Sequence, residues 1–418
     1  MFASRVRTAR SIFVRLAQRK LGAIALFALC VSAGPVAAQD AVSSASRVKL
    51  YGWIESGVTV NGDNPADRQN FGHLFTDRPN ELLLNQAVVT VERTLATSGD
   101  NFDWGFKAQF LYGTDARYIH SIGVFDNTQH EIVQPDVVEA WMLFHLPVPS
   151  TAGGLDIKAG KFVTLEGAET IDSRTNVFYS HSYIFNFGIP FNHTGVLATL
   201  HPIKGLDLYA GATRGVNTGL TDNNSSAAFD GGIGVTLLDG KLTAVATTHL
   251  GPENAHDNHD QRYLNDLVAI WKATDKLTAT LDANFAEDES VAGTAKAYGA
   301  AVYLTWAVSD WLAFGLREEA FRDEKGFFVG SFADNDDFID IERGRTTNID
   351  PRTFFTRGTF NEVTVGATLK VPMPKPFTGL TIRPELRYDT ALSSGVAPYL
   401  DQDSRHQFTA GIDAIFSF

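Results

Sequence analysis

Apolar and polar residues alternate along most of this chain with a period of two. In the last segment Phe418, Phe416, Ala414, Ile412, Ala410 and Phe408 share one parity. Ser417, Asp413, Gly411, Thr409, Gln407 and Arg405 hold the other, with Ile415 the exception. Successive side chains of a strand point to opposite faces, so this segment predicts a strand with one greasy and one wet face. From Arg47 to Val60, Val48, Leu50, Gly52, Ile54, Val58 and Val60 oppose Arg47, Lys49, Tyr51, Glu55 and Thr59. Between Leu82 and Arg93, Ala87, Val89 and Val91 oppose Gln86, Thr90 and Glu92. Next, Phe102, Trp104, Phe106, Ala108, Phe110 and Tyr112 alternate with Asp103, Gly105, Lys107 and Gln109. A core strand rarely carries aromatics at so many second positions; a lipid-facing strand does, with its end aromatics at the interfaces. Similar runs lie near 136–147, 154–162, 193–201, 205–215, 227–238, 241–250 and 263–273. Others lie near 276–286, 297–307, 310–321, 360–371, 378–390 and 404–418. The total is about sixteen strands of about nine to fifteen residues, where a tilted membrane strand needs about nine to eleven.

The connections alternate in length. Short ones sit at Thr97–Asn101, Pro147–Gly154, His201–Gly205, Asp239-Gly240, Ala273–Lys276, Val308–Asp310 and Pro372–Thr378. Long ones sit at 61–80, 114–135, 163–192, 322–358 and 391–403. Short turns at one end and long loops at the other describe a membrane barrel, in which an even strand count brings both termini to the short-turn side. The expected fold is therefore an all-β, transmembrane, antiparallel up-and-down β-barrel, with short periplasmic turns and long external loops.

The wet face supports this reading. It holds Arg383, Glu385, Arg387 and Asp389 on one strand, Arg405 and Asp413 on the last, and Lys107, Arg317 and Glu319 elsewhere. Glu139, Asp156, Lys158, Asp282, Glu362 and Lys370 fall on the same face. Unpaired charges are costly to bury, so these are expected to line a hydrated lumen. A soluble barrel would have to pack the Phe-rich face inside, and with some sixteen strands that interior is too wide for side chains alone.

The N-terminus reads as an export signal. Arg5, Arg7, Arg10, Arg15, Arg19 and Lys20 precede the apolar run Leu21–Val31 and the small-residue site Val36-Ala37-Ala38. Residues 1–38 are expected to be a cleaved leader, and 39–418 the barrel. The run is too short to span a bilayer as a helix. Cys30 is the only cysteine and lies in the leader, so the remainder carries no thiolate nucleophile and no disulfide. The net charge is −13, and removing the six leader cations takes it to near −19. Nucleic-acid binders are basic, so that class of partner is excluded.

A family resemblance enters on several motifs. Leu84-Asn85-Gln86-Ala87 leads into Val91-Glu92-Arg93, and Trp104-Gly105-Phe106-Lys107 into Tyr112-Gly113. Gly160-Lys161-Phe162 is followed by Gly167, Glu169, Tyr179-Ser180 and Tyr183, then by Ile189-Pro190-Phe191 and His193-Thr194-Gly195-Val196. Together they resemble the OmpL-like outer-membrane porins, also called beta-barrel porin-2, closely in the first half of the barrel and only by pattern in the second. The resemblance implies a sixteen-strand porin of the Gram-negative outer membrane, through which small hydrophilic solutes or ions diffuse without a cofactor. The terminal Phe418 and Phe416 resemble the signal read by the outer-membrane assembly machinery, and strand addition is one route for that contact. Lipid and lipopolysaccharide are the expected surroundings. A homotrimer is left open, because an apolar face serves lipid and neighbouring subunit alike.

In general porins the loop after the fifth strand folds inward and narrows the pore. By resemblance, residues 163–192 are expected to do so, with Glu166, Glu169, Asp172 and Arg174 as constriction candidates. Acidic loop residues facing Arg383, Arg387 and Arg405 would set a transverse field, and rings of charge select permeants. Tyr183–Phe191 is unusually apolar for an exposed loop and is expected to fold against something.

Other chemistry reads weakly. His256-Asp257-Asn258-His259-Asp260 and Asp334-Asn335-Asp336-Asp337 look like metal loops, but the second lacks the glycine and closing glutamate of an EF-hand, and both suit loop tips. No metal site is therefore expected. His120-Ser121 and Asn192-His193-Thr194 do not form a known catalytic motif, and no G-x-S-x-G, HExxH or phosphate loop occurs, so no enzyme is expected. The rival reading is a structural, adhesive or receptor barrel with a plugged lumen, whose long acidic loop 322–358 would be the working surface.

Overall fold

Sixteen strands close on themselves. The computed structural model describes residues 47–96, 101–127, 131–289, 293–330 and 357–418. The expected leader 1–38, the Asp334–Asp337 tract and most of the 322–358 loop lie outside the described residues. In chain order β1 is Val48–Asn61, β2 Leu82–Arg93, β3 Asp103–Gly113, β4 Gln134–Leu146, β5 Leu155–Val163 and β6 Asn192–Ile203. β7 is Leu206–Val216, β8 Ala228–Leu237, β9 Leu242–Pro252, β10 Gln261–Lys272 and β11 Leu277–Asp288. β12 is Ala295–Ala307, β13 Leu312–Asp323, β14 Gly358–Val371, β15 Gly379–Ala391 and β16 His406–Ser417. Each lies beside its sequence neighbours, and β16 pairs antiparallel with β1, which removes both sheet edges.

The closing seam shows why the alternation matters. Ile54 stands opposite Phe416 and Glu55 opposite Ile415. Phe418 extends the seam by exchanging backbone hydrogen bonds with Gly52 at 3.0 and 3.1 Å. Phe408, Ile412 and Phe416 are exposed on the outer face, while Gln407, Thr409 and Asp413 are buried on the inner one. Ile415 breaks the polar run because it belongs to an apolar cluster inside the barrel.

Long connections gather at one end: 62–81 (L1), 114–133 (L2), 164–191 (L3) and 392–405 (L8) among them. The barrel is not filled by wall side chains. L3 and parts of L1 and L2 enter it and build a core there, with Phe75, Phe185, Phe191 and Tyr183 buried among Phe321, Phe360 and Trp53. Inserted loops supply the volume that the inward side chains of sixteen strands cannot fill.

Candidate functional site

L3 crosses the lumen and lies against the inner wall of β10–β16 and β1. It docks through its backbone. Inward carboxylates accept its amides: Asp266 from Gly167 at 2.9 Å, Asp282 from Ala168 at 2.8 Å, Glu385 from Tyr179 at 2.8 Å and Glu319 from Ile184 at 2.7 Å. Inward arginines donate to its carbonyls: Arg317 to Ser180 at 2.8 Å, Arg383 to Ser173 at 2.8 Å and Asn176 at 2.9 Å, and Arg387 to His181 at 2.5 Å. An irregular loop in a lumen carries orphan amides and carbonyls that must find partners. Here the wall provides them as charged groups, each worth about 1.5–3 kcal/mol in net stability.

The arginines are neutralised in turn. Arg317 pairs with Glu362 and, at 2.7 Å, with Glu169 of L3. Arg383 bridges Asp413 at 2.5 Å and Glu55 at 3.0 Å, and Arg387 pairs with Asp389 at 2.6 Å. Glycines let the loop lie flush: a Cβ at Gly57 would stand 2.4 Å from the Tyr179 ring, and one at Gly315 2.7 Å from Val177.

This arrangement departs from the expected hydrated lining. Arg317, Glu319, Arg383, Glu385, Arg387 and Asp389 do face inward, but L3 and mutual pairing exclude water from all six. Arg405 shares the inward parity yet lies before β16, exposed, where it donates to the carbonyls of Ala391 and Leu392 and closes the neck of L8. Among the described residues, the acidic L3 candidates pair elsewhere, Asp172 with Arg174 and Glu169 with Arg317, while Arg383 and Arg387 pair with wall carboxylates.

The four loop candidates divide into two kinds. Glu169 is an anchor, bonded to Arg317, to Tyr303 at 2.9 Å and to His181 at 2.7 Å. Burial alone would raise its carboxyl, but Arg317 and His181 hold it down to about 2. Glu166 is buried without a cation partner, and burial pushes it up to about 8. Asp172 and Arg174 instead form a partly exposed pair at 2.6 Å at the tip of the loop. The Arg174 guanidinium stacks 3.9 Å from the Trp53 ring.

Two strands along the wall from β1 begins the segment of β3 to β5. Its inward side carries Lys107, only partly buried and bonded to Glu139 at 2.7 Å, and Lys158, 5.1 Å from the Trp141 ring. The upper half of the loop is roofed by apolar contacts. Phe75 of L1 meets Phe185 and Phe191, and Tyr183 bonds the Tyr399 hydroxyl of L8 at 3.0 Å. This is the partner that the apolar Tyr183–Phe191 run required.

Sequence parity places Asp282 on the wet face and His193 falls in a family-like motif, but Asp266, Asp230, His249 and Glu253 take part without having been singled out from sequence. Inward parity is the local signal for Asp266; nothing local marks Asp230, His249 and Glu253 as a group with His193. His120 and Ser121 are not partners of one another: His120 bonds Gln134 and Ser121 bonds Asn192. In the His256–Asp260 loop, Asp257 accepts the amides of His259 and Asp260, an ordinary polar turn.

A family model described as "Putative beta-barrel porin-2, OmpL-like" matches residues 47–418. No curated protein matches. Among solved structures, the chain resembles the outer membrane channel DcaP of Acinetobacter baumannii at 14% identity, covering 90% of this chain and 99% of that one, with a TM-score of 0.54. It resembles an anion-selective porin from Comamonas acidovorans at 10% identity, covering 89% and 99%, with a TM-score of 0.55. It also resembles the trimer form of OmpT, an outer membrane protein of Vibrio cholerae, at 12% identity, covering 89% and 99%, with a TM-score of 0.52.

Proposed function

The chain belongs to the OmpL-like beta-barrel porin-2 family, and on that premise we propose that solutes pass between the docked loop L3 and the β3–β9 wall. As an outer-membrane porin it lets small hydrophilic solutes or ions diffuse passively across the Gram-negative outer membrane. The reading is supported above all by the docking of L3 through Glu319, Glu385, Arg317, Arg383 and Arg387 against one side of the lumen. That ladder holds the loop as a fixed partition. The partly exposed groups Asp172, Arg174, Lys107 and Lys158 then set the charge along the path, and no chemical step is part of the transport.

A second reading is the plugged barrel with a structural, adhesive or receptor role, favoured by the buried roof of Phe75, Phe185, Phe191 and Tyr399. Single-channel recording of the refolded protein in planar bilayers separates the two. Steady conductance that falls with ion size supports the channel; its absence supports the plug.

Three further features belong to the proposal. The leader 1–38 is cleaved near Gln39, which N-terminal sequencing of the membrane-extracted protein checks. Phe416 and Phe418, at the β16–β1 seam, serve as the assembly signal, and their replacement by Ser lowers the yield of inserted protein. The barrel assembles as a homotrimer, after the trimer form of OmpT; a single-barrel mass in light scattering would refute that.

A further inference from the structure

We propose that His193, Asp230 and His249 form a binding site for a divalent transition-metal ion of the zinc class, in the barrel wall beside the root of L3. The three residues come from β6, β8 and β9, and all are buried on the inner face. One donor atom from each lies within 4.8 Å of the others. Asp230 Oδ1 stands 2.9 Å from His249 Nδ1 and 3.7 Å from His193 Nδ1. Ligands held about 2.0–2.2 Å from a tetrahedral zinc ion stand roughly 3.3–3.5 Å apart, so these separations bracket what the ion needs. The two imidazoles are stacked, with centroids 5.4 Å apart.

The surroundings are those of a metal site. His249 Nε2 lies 2.8 Å from Glu253 Oε1, and the other oxygen of Glu253 accepts the Val216 amide at 2.7 Å. The Thr213 hydroxyl donates to Asp230 Oδ2 at 2.6 Å, leaving Oδ1 as the donor for an ion. A metal-bound histidine almost always gives its second N–H to such a fixed carboxylate, which sets its tautomer and orientation.

An independent observation points at the same place. Glu166 is buried, and its Oε2 has no hydrogen-bond partner. With His193 and Asp230 it lines a cavity of about 10 Å³. That is room for about one water or one small ion. A buried carboxyl oxygen without a partner is costly, and an ion held by the three residues would set a positive charge close to Glu166 and draw L3 toward the β6–β9 wall, with the Glu166 proton released to solvent. Binding displaces the proton between His249 Nδ1 and Asp230 to solvent. The His193 proton then resides on Nε2, which faces the Thr164 hydroxyl at 3.4 Å.

The test is equilibrium dialysis of Zn²⁺ against the refolded full chain in detergent, with heat-modifiable gel mobility as the folding control. The expected result is one Zn²⁺ per chain. Glu253→Gln should weaken binding by about 10- to 100-fold, the usual effect of losing an outer partner, and His193→Ala or His249→Ala should abolish it. Glu166→Gln, a loop change that leaves the wall intact, should weaken it while the barrel stays folded. No bound Zn²⁺ on folded wild-type protein would overturn the proposal. So would undiminished binding in the His193→Ala, His249→Ala double variant, or loss of the bound ion in His256→Ala, His259→Ala, which would place it at the exposed loop tip.

Discussion

Glu319 on β13 accepts the backbone amide of Tyr183 at 2.6 Å, so a wall carboxylate holds the first residue of the apolar turn of L3. Its second oxygen takes the next amide, that of Ile184. A side chain that sequence parity marks as lumen lining is thereby a docking group.

Glu319→Ala should release this turn. Two buried amides lose their acceptor, at a cost of about 1–3 kcal/mol each. The expected outcome is earlier heat modification on gels and larger, noisier single-channel conductance. Unchanged conductance with unchanged proteolysis within 177–191 would show that the loop is held by its apolar contacts alone.

Arg317 and Arg174 should behave oppositely. Arg317→Met removes the guanidinium that Glu169 and Glu362 share, and breaking a buried pair this way costs about 3–5 kcal/mol. The Asp172–Arg174 pair is partly exposed, and such pairs contribute about 0–1 kcal/mol. Arg174→Gln should therefore leave thermal stability nearly unchanged while shifting the reversal potential in a salt gradient toward cations. A large stability loss in Arg174→Gln would overturn this division of roles.

Acid should undock the loop. Glu169 sits at about 2 in the folded protein, below the ordinary glutamate value, because Arg317 and His181 outweigh its burial. A depressed carboxyl contributes stability that is present above the ordinary value and is lost as pH falls through the folded value. The loss should run from about pH 4.5 down to about pH 2, visible as a falling midpoint of thermal unfolding. Glu169→Gln should be less stable at neutral pH and show a flatter acid limb; an identical acid limb would assign the transition to other carboxylates.

Adjacent positions on β16 should report opposite environments. A spin label at Phe408, exposed on the outer face, should be accessible to oxygen dissolved in lipid, and one at Thr409, buried inside, should not. The same contrast should hold for Phe106 and Lys107 on β3. Equal accessibility at Phe408 and Thr409 would contradict a membrane-spanning strand.

The period-two pattern by itself determined the number of strands, their places and which parity meets lipid. Backbone geometry leaves no freedom there: once a strand forms, Phe408 and Thr409 must point to opposite faces. The long 163–192 connection and its apolar Tyr183–Phe191 run also announced a loop that needed burial. What parity could not convey is what occupies the lumen. Arg383, Glu385 and Arg387 would alternate identically whether they faced water or the backbone of L3. Only the tertiary structure decided between these, because Glu385 meets Tyr179 across 206 residues of chain and Arg387 meets His181 across the same separation. His193, Asp230 and His249 were illegible for the same reason. They lie on three strands, each unremarkable in its own segment, and it is strand register in the closed barrel that brings their donor atoms together.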